Sequence, residues 1–294
     1  MMKVSRYYQV AGHRFCVTAE ADEFRLMVNY EPFSFAPESE EAREGLDDCM
    51  FSLTVDSGEA QAYVEELRQE EEGQEIACGK TADGMPVFEF IWWGASAGYL
   101  VCATDYREGR LILTGRHTKM AIDNALMVLF ALATATKGTV LFHAAVVSHE
   151  GRGYMFLGPS GTGKSTHASL WVKHIEGAVL VNDDNPVVRI GNDGLAVVYG
   201  SPWSGKTPCY RNVSYPLGAI VTLNQAPYNK IEPLRGLAAY AALVPSISGM
   251  RWAAAIADGL HQTEDRLASG VPMWHLECLP DQAAAQLCSL KIEI

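Results

Sequence analysis

The sequence predicts a mixed α/β protein, with a β-rich N-terminal domain over residues 1–110 and an α/β core with a mixed sheet over residues 111–294. Three observations carry that expectation. Residues 158–166 read Gly-Pro-Ser-Gly-Thr-Gly-Lys-Ser-Thr, a glycine loop between a strand-like run and a helix-compatible run. Hairpin-type turns lie on both sides of this loop, so simple βα alternation does not fit. Before residue 110, short apolar runs recur at strand-like spacing.

Those N-terminal strands are expected at 7–10, 14–18, 51–55, 87–92, 99–104 and 111–113. Most acidic residues also lie in this region. Glu38-Ser39-Glu40-Glu41 and Glu70-Glu71-Glu72 read as solvated loops and a helix face, because no Asp/Asn/Gly ligand pattern accompanies them. Trp92 and Trp93 read as packing residues. Residues 118–137, rich in Ala, Leu and Met, predict a long helix and place the domain boundary near residue 110.

In the core, strands are expected at 140–142, 145–148 and 154–157, with His149-Glu150-Gly151-Arg152-Gly153 turning between the last two. The loop's helix starts at Lys164 and stops before Gly177. An apolar run at 178–181 leads into Asn182-Asp183-Asp184. Strands at 187–190 and 196–199 flank the turn Asn192-Asp193-Gly194. The remainder reads as strand 219–223, helices 234–243 and 251–267, strand 273–277 and helix 281–290, with Asp281 after Pro280 as an N-cap.

Composition bounds the function classes. The chain has 294 residues, 48% apolar and 20% charged, as expected of a globular protein. No apolar run reaches the ~18 residues that span a bilayer. The longest, 125–135, reads as a core helix, so no membrane role is expected. The N-terminus lacks an apolar signal core. Seven cysteines without C-x-x-C spacing read as reduced thiols, and a cytoplasmic location follows as an expectation. The net charge of −12 argues against nucleic-acid binding, which depends on Lys and Arg neutralising phosphates.

Gly158, Gly163, Lys164 and Ser165 fill the positions of G-x-x-x-x-G-K-[ST]. The glycines let backbone N–H groups turn inward, so Gly158, Ser160, Gly161, Thr162, Gly163 and Thr166 form a nest for phosphate oxygens. Lys164 adds a point charge near the β- and γ-phosphates, and the Ser165 hydroxyl faces Mg²⁺. The helix N-terminus adds its own positive end. A carboxylate at a strand end beside such a loop can hold Mg²⁺, and a second can accept a proton from an attacking hydroxyl. Asp183 and Asp184 point to opposite sides of an extended chain and so have different roles, or they form an acidic turn. His143 interrupts an apolar strand; a His in such a place is a hydrogen-bonded core residue or a catalyst.

This layout resembles the kinase core of HPr kinase/phosphorylase and the wider PEP-carboxykinase-like family. The carriers are His143 fifteen residues before Gly158, the loop itself, and Asp183-Asp184 nineteen and twenty after Lys164. The resemblance covers residues 138 to 290 at pattern level and leaves the N-terminal region out. It implies that His143 and one Asp lie beside the γ-phosphate of ATP. It also implies Asp183 as general base and Asp184 as a Mg²⁺ ligand with Ser165. Gly200-Ser201-Pro202-Trp203-Ser204-Gly205-Lys206, with Pro216-Leu217-Gly218-Ala219-Ile220 behind it, resembles a loop of uncharacterised kinase-like members, and Ser204-Gly205-Lys206 is read as a phosphate or acceptor loop, or as a surface turn. Thr166 stands where HPr kinase carries an acidic residue, and its glycine-rich signature is not found, so HPr is not the implied acceptor. The arginine and metal motifs of PEP carboxykinases are also missing, and oxaloacetate decarboxylation is not implied. The expectation is an ATP-dependent kinase acting on a hydroxyl of a peptide, protein or small molecule. The alternative is a non-catalytic ATP-binding sensor or scaffold with an N-terminal partner-binding module.

Overall fold

The computed structural model describes residues 3–36, 49–71, 73–205 and 207–292. Its chain is mixed α/β and divides into two compact units, Met1–Ala133 and Thr134–Ile294.

The first unit holds a nine-stranded sheet. In chain order its strands are β1 (Val4–Val10), β2 (His13–Ala19), β3 (Ser34–Phe35), β4 (Phe51–Ser57), β5 (Val64–Glu71), β6 (Gln74–Lys80), β7 (Pro86–Trp92), β8 (Ala95–Cys102) and β9 (Glu108–Leu113). They lie in the order β3-β1-β2-β4-β9-β8-β7-β6-β5. Pairing is antiparallel except at β2–β4 and β4–β9, which are parallel. A short helix α1 (Ala21–Phe24) follows β2, and a long helix α2 (Thr118–Thr134) follows β9.

The contact division falls after Ala133, not near residue 110. The reason is that β9 is an interior strand of the first sheet, and α2 packs on that sheet. Phe130 meets His13 edge-on at 6.0 Å, and Asn29 and Gln74 donate side-chain hydrogen bonds to Asp123 and Asn124. Gly109 leaves room for the helix: a Cβ there would sit 2.6 Å from Leu129 Cδ1. The segment Thr118–Lys137, 20 residues at mean hydropathy 1.3, is long and apolar enough to cross a membrane, which corrects the shorter estimate from the sequence. In this fold 61% of an 18-residue window of it is buried, and it serves as a core helix.

Two further expectations change. Glu70 and Glu71 lie in the exposed strand β5, not on a helix face, because β6 pairs with them: Glu70 with Glu75, Glu71 with Gln74. Glu38 to Glu41 and Glu72 lie outside the described residues. Trp93 is 75% exposed at a φ of 48°, so it is a turn residue and not core.

The second unit contains β10 (Thr139–Leu141), β11 (Ala145–His149), β12 (Arg152–Leu157), β13 (Val179–Asn182), β14 (Val187–Ile190), β15 (Ala196–Tyr199), β16 (Ser214–Gln225), β17 (Lys230–Leu234) and β18 (Met273–Cys278). Its helices are α3 (Lys164–His174), α4 (Leu237–Leu243), α5 (Ala254–Gly270) and α6 (Gln282–Ile292). Leu234 ends β17, where its partner is Met273, and does not start the following helix. Strand order is β10-β14-β15-β16-β12-β11-β13, with β18 on β16 and β17 on β18. The long strand β16 organises this sheet. One edge runs parallel to β12, and the other is shared between β15 and the parallel strand β18.

The period of two decides the packing. Ala145, Val147, Tyr154, Phe156, Ala219, Val221 and Leu223 bury one face against Ala168 and Trp171 of α3 and Ala285, Cys288 and Ile292 of α6. The alternate residues Val146, Met155, Leu157 and Ile220 are 0% exposed as well, so the other face is also covered. Each fully buried large side chain contributes about 1.5–3 kcal/mol. Helix α3, and the loop before it, are therefore held from below by Trp171 and Phe156.

Candidate functional site

Strand register alone brings three segments to one sheet edge. Ala145, at the start of β11, pairs with Phe156 near the end of β12. Its neighbour Val146 pairs with Asn182, the last residue of β13. Hence His143 before β11, the glycine loop after β12 and Asp183-Asp184 after β13 emerge side by side. The parallel partner β16 ends there too, Leu157 pairing with Thr222. The opposite end of the β11–β12 hairpin closes on Glu150 (φ 47°) and Gly151 (φ 76°), the two left-handed residues of a tight hairpin turn.

Three glycines shape the loop. Gly158 has a φ of 149°, and a Cβ there would lie 2.6 Å from Thr162 Oγ1 and 3.2 Å from the Leu223 carbonyl. Gly161 and Gly163 have φ of 79° and 102°. Lys164 is 7% exposed, and its ammonium reaches back across the loop to donate to the carbonyls of Gly158 at 2.8 Å and Pro159 at 3.3 Å. Thr162 Oγ1 donates to Pro159 O, and Gln225 at the end of β16 donates to Gly161 O at 3.0 Å. The N-cap residue of α3, Gly163, has no side chain to cap the helix, and free first-turn N–H groups are the kind that bind anions. Ser160, Gly161, Ser165 and Thr166 are exposed along this rim.

Asp183 is 6% exposed, and its Oδ2 is buried with no hydrogen-bond partner among the described residues. A buried carboxylate oxygen left in that state costs about 1–3 kcal/mol or more, so it marks a position built for a proton, a metal or a ligand donor. Asp184 is half-buried: its Oδ1 lies 3.6 Å from His143 Nε2, and its Oδ2 accepts from Asn185 at 2.8 Å. The backbone ties them together, since Ala144 N donates to Asp184 O at 2.8 Å and His143 N to Ser246 O at 2.7 Å. His143 thus meets Asp184, the outer member of the pair.

Asn182, Ser201 and Trp203 appear in the sequence only as members of longer segments, and the part they play in holding this corner was not read there. Asn182 is fully buried. Its Oδ1 accepts from Asp184 N at 2.9 Å, while its Nδ2 donates to Ser201 Oγ and to Trp203 O, both at 3.1 Å. Ser201 Oγ also binds Asn185 O. These bonds press the following loop against the acidic pair. A Cβ on Gly205 would come within 3.1 Å of Asp184 Cβ and 3.4 Å of Asp183 O. Ser204 turns away and donates to Thr207 O at 2.7 Å, and Lys206 lies outside the described residues. The usable signal was Asn182 itself, an amide between an apolar strand and two acids. Cys209, whose Sγ lies 3.4 Å from Val181 O, stays a thiol because burial pushes its pKa up and the Asp183 charge pushes the same way.

Helix α3 carries His167, 3% exposed, one turn beyond Lys164. Burial pushes its pKa down to about 4, and Trp171 Nε1 donates to its Nε2 at 3.1 Å, so it is a neutral acceptor in the core. Among the described residues no group of three or more His, Cys, Asp or Glu converges as a metal cage. A hydroxyl such as that of Ser165 and a carboxylate such as that of Asp184 are oxygen donors of the kind Mg²⁺ takes, alongside phosphate and water. A cleft of about 850 Å³ between residues 233–237 and 268–274 is lined by none of these residues.

Residues 114–270, more than half of the chain and including every residue of this corner, match the family model described as SynChlorMet cassette protein ScmC, and the chain belongs to that family. No curated protein was found to match the chain.

Proposed function

We propose that the Thr134–Ile294 unit is an ATP-dependent kinase with an HPr kinase-like, PEP-carboxykinase-like core, transferring the γ-phosphoryl group to a hydroxyl acceptor. The observation that carries this reading is the buried, unpartnered Oδ2 of Asp183 at the sheet edge where the glycine loop opens.

In this reading the loop N–H groups and Lys164 bind the β- and γ-phosphates. Ser165 and Asp184 would hold a Mg²⁺, which would supply charge neutralisation for the phosphates when bound. The acceptor hydroxyl approaches Asp183. Its oxygen forms the new bond to the γ-phosphorus as the β–γ bridging bond breaks, and that electron pair leaves with ADP. The hydroxyl proton passes to Asp183 Oδ2 late in the step. His143, 3.6 Å from Asp184 Oδ1, orients that carboxylate. Catalysis rests mainly on positioning and electrostatics.

The test uses the full chain with Mg-ATP, calorimetry for binding and labelled γ-phosphate for transfer to serine peptides and small hydroxyl compounds. Lys164→Ala is expected to abolish both readouts. Asp183→Asn is expected to keep nucleotide affinity within a few-fold and to lower transfer at least 100-fold. Wild-type binding and transfer in Lys164→Ala overturns the assignment of the loop. Nucleotide binding unchanged in Asp183→Asn, with no transfer to any acceptor by the native chain, replaces the kinase with an ATP sensor.

A further inference from the structure

The first unit ends its sheet on β5, and no described strand pairs with the outer edge of β5. All eight of its residues, Val-Glu-Glu-Leu-Arg-Gln-Glu-Glu, are exposed, so no layer covers either face. On the outer edge, alternate N–H and C=O groups face solvent, the arrangement that accepts an added strand.

Charge selects what is added. The strand carries Glu65, Glu66, Glu70 and Glu71 against one cation, Arg68. Arg68 is already engaged by Glu65 at 2.7 Å and Glu75 at 2.6 Å. Glu70 and Glu71 take part in no ion pair among the described residues. At the hairpin tip the ring of Trp93 lies against Gly73, where a Cβ would be 2.7 Å from Trp93 Cε2, and Trp93 is 75% exposed. An exposed indole beside an acidic edge is a seat for a Lys or Arg side chain. A second copy of β5 fits badly. Antiparallel self-pairing centred between Leu67 and Arg68 sets Glu65 opposite Glu70, and like charges directly opposite are destabilising.

We propose that the outer edge of β5 binds an extended, basic peptide segment of another protein by strand addition, with the partner's Lys and Arg side chains lying against the glutamates and Trp93. The backbone supplies the pairing and the charge supplies the choice of partner. This inference does not rest on the kinase reading.

The probe is a fluorescein-labelled, end-blocked octapeptide alternating Lys and Val, titrated into the full chain and followed by anisotropy and by hydrogen exchange. Binding is expected at low salt, with slowed exchange at residues 64–71. Glu70→Lys/Glu71→Lys, whose folding is checked by its unchanged thermal midpoint, is expected to weaken binding at least ten-fold. So is the same peptide N-methylated at alternate residues, which keeps its charge but loses its strand hydrogen bonds. Equal binding of the N-methylated peptide reduces the effect to bulk charge attraction and overturns the proposal. Absence of binding, or a dimer in sedimentation that already protects residues 64–71, overturns it as well.

Discussion

Acidification should destabilise helix α3 through one residue, His167. In the folded chain its imidazole is neutral, accepts from Trp171 Nε1 and packs edge-on to Phe156 at 4.7 Å. Burial holds its pKa near 4, against about 6.5 in an unfolded chain. The folded value is the lower one, so between the two the unfolded state binds more protons. The stability is therefore complete above about pH 6.5, falls as pH drops, and stops falling below about pH 4. A gap of about 2.5 units corresponds to about 3 kcal/mol, most of it lost by pH 4.5. Carboxylates titrate in the same range, so the comparison must be with His167→Gln, whose amide oxygen accepts from Trp171 without titrating. Urea unfolding of both proteins at pH 7.5 and 4.5 gives the two losses, and hydrogen exchange of the α3 amides assigns the transition to the second unit. Wild type should lose about 2–3 kcal/mol more than the variant. Parallel losses would refute the burial argument.

Two other expectations concern the same corner. Gly158→Ala forces a side chain into a φ of 149° and against Thr162 Oγ1 and the Leu223 carbonyl. About 1–3 kcal/mol of strain follows, and nucleotide affinity by calorimetry should drop ten-fold or more. Adding Thr162→Ala should restore only part, because the Leu223 carbonyl belongs to β16 and cannot move away. Asn182→Ala removes two donors and one acceptor from a fully buried position, at a cost of about 1–3 kcal/mol. Hydrogen exchange should quicken at residues 201–205 and stay unchanged in α3.

What was legible in the sequence was local. The glycine loop, the Glu150-Gly151 turn and the Asp281 cap, which accepts from Ala284 N at 2.8 Å, follow from chemistry within a few residues. Strand β5 was not legible, because none of its side chains is buried and its sequence shows no face; pairing with β6 makes it a strand. The unit boundary was misplaced for a related reason. An apolar helix such as α2 announces that it will be buried, not which sheet will bury it. At the site, the loop was readable from its residues, whereas the approach of His143 to Asp184 entered only through a resemblance. The Asn182–Ser201–Trp203 bonds join residues nineteen and twenty-one apart, which no local pattern records.

The β11–β12 hairpin has two ends with opposite tolerances. A residue added at Glu150-Gly151 lengthens an exposed turn and leaves every rung of the ladder in place. A residue added within β11 shifts His143 against Asp184 by one rung and turns each inward side chain outward. The first end is thus a natural attachment point for a reporter group, a strand's length from the glycine loop. The other admits no such change.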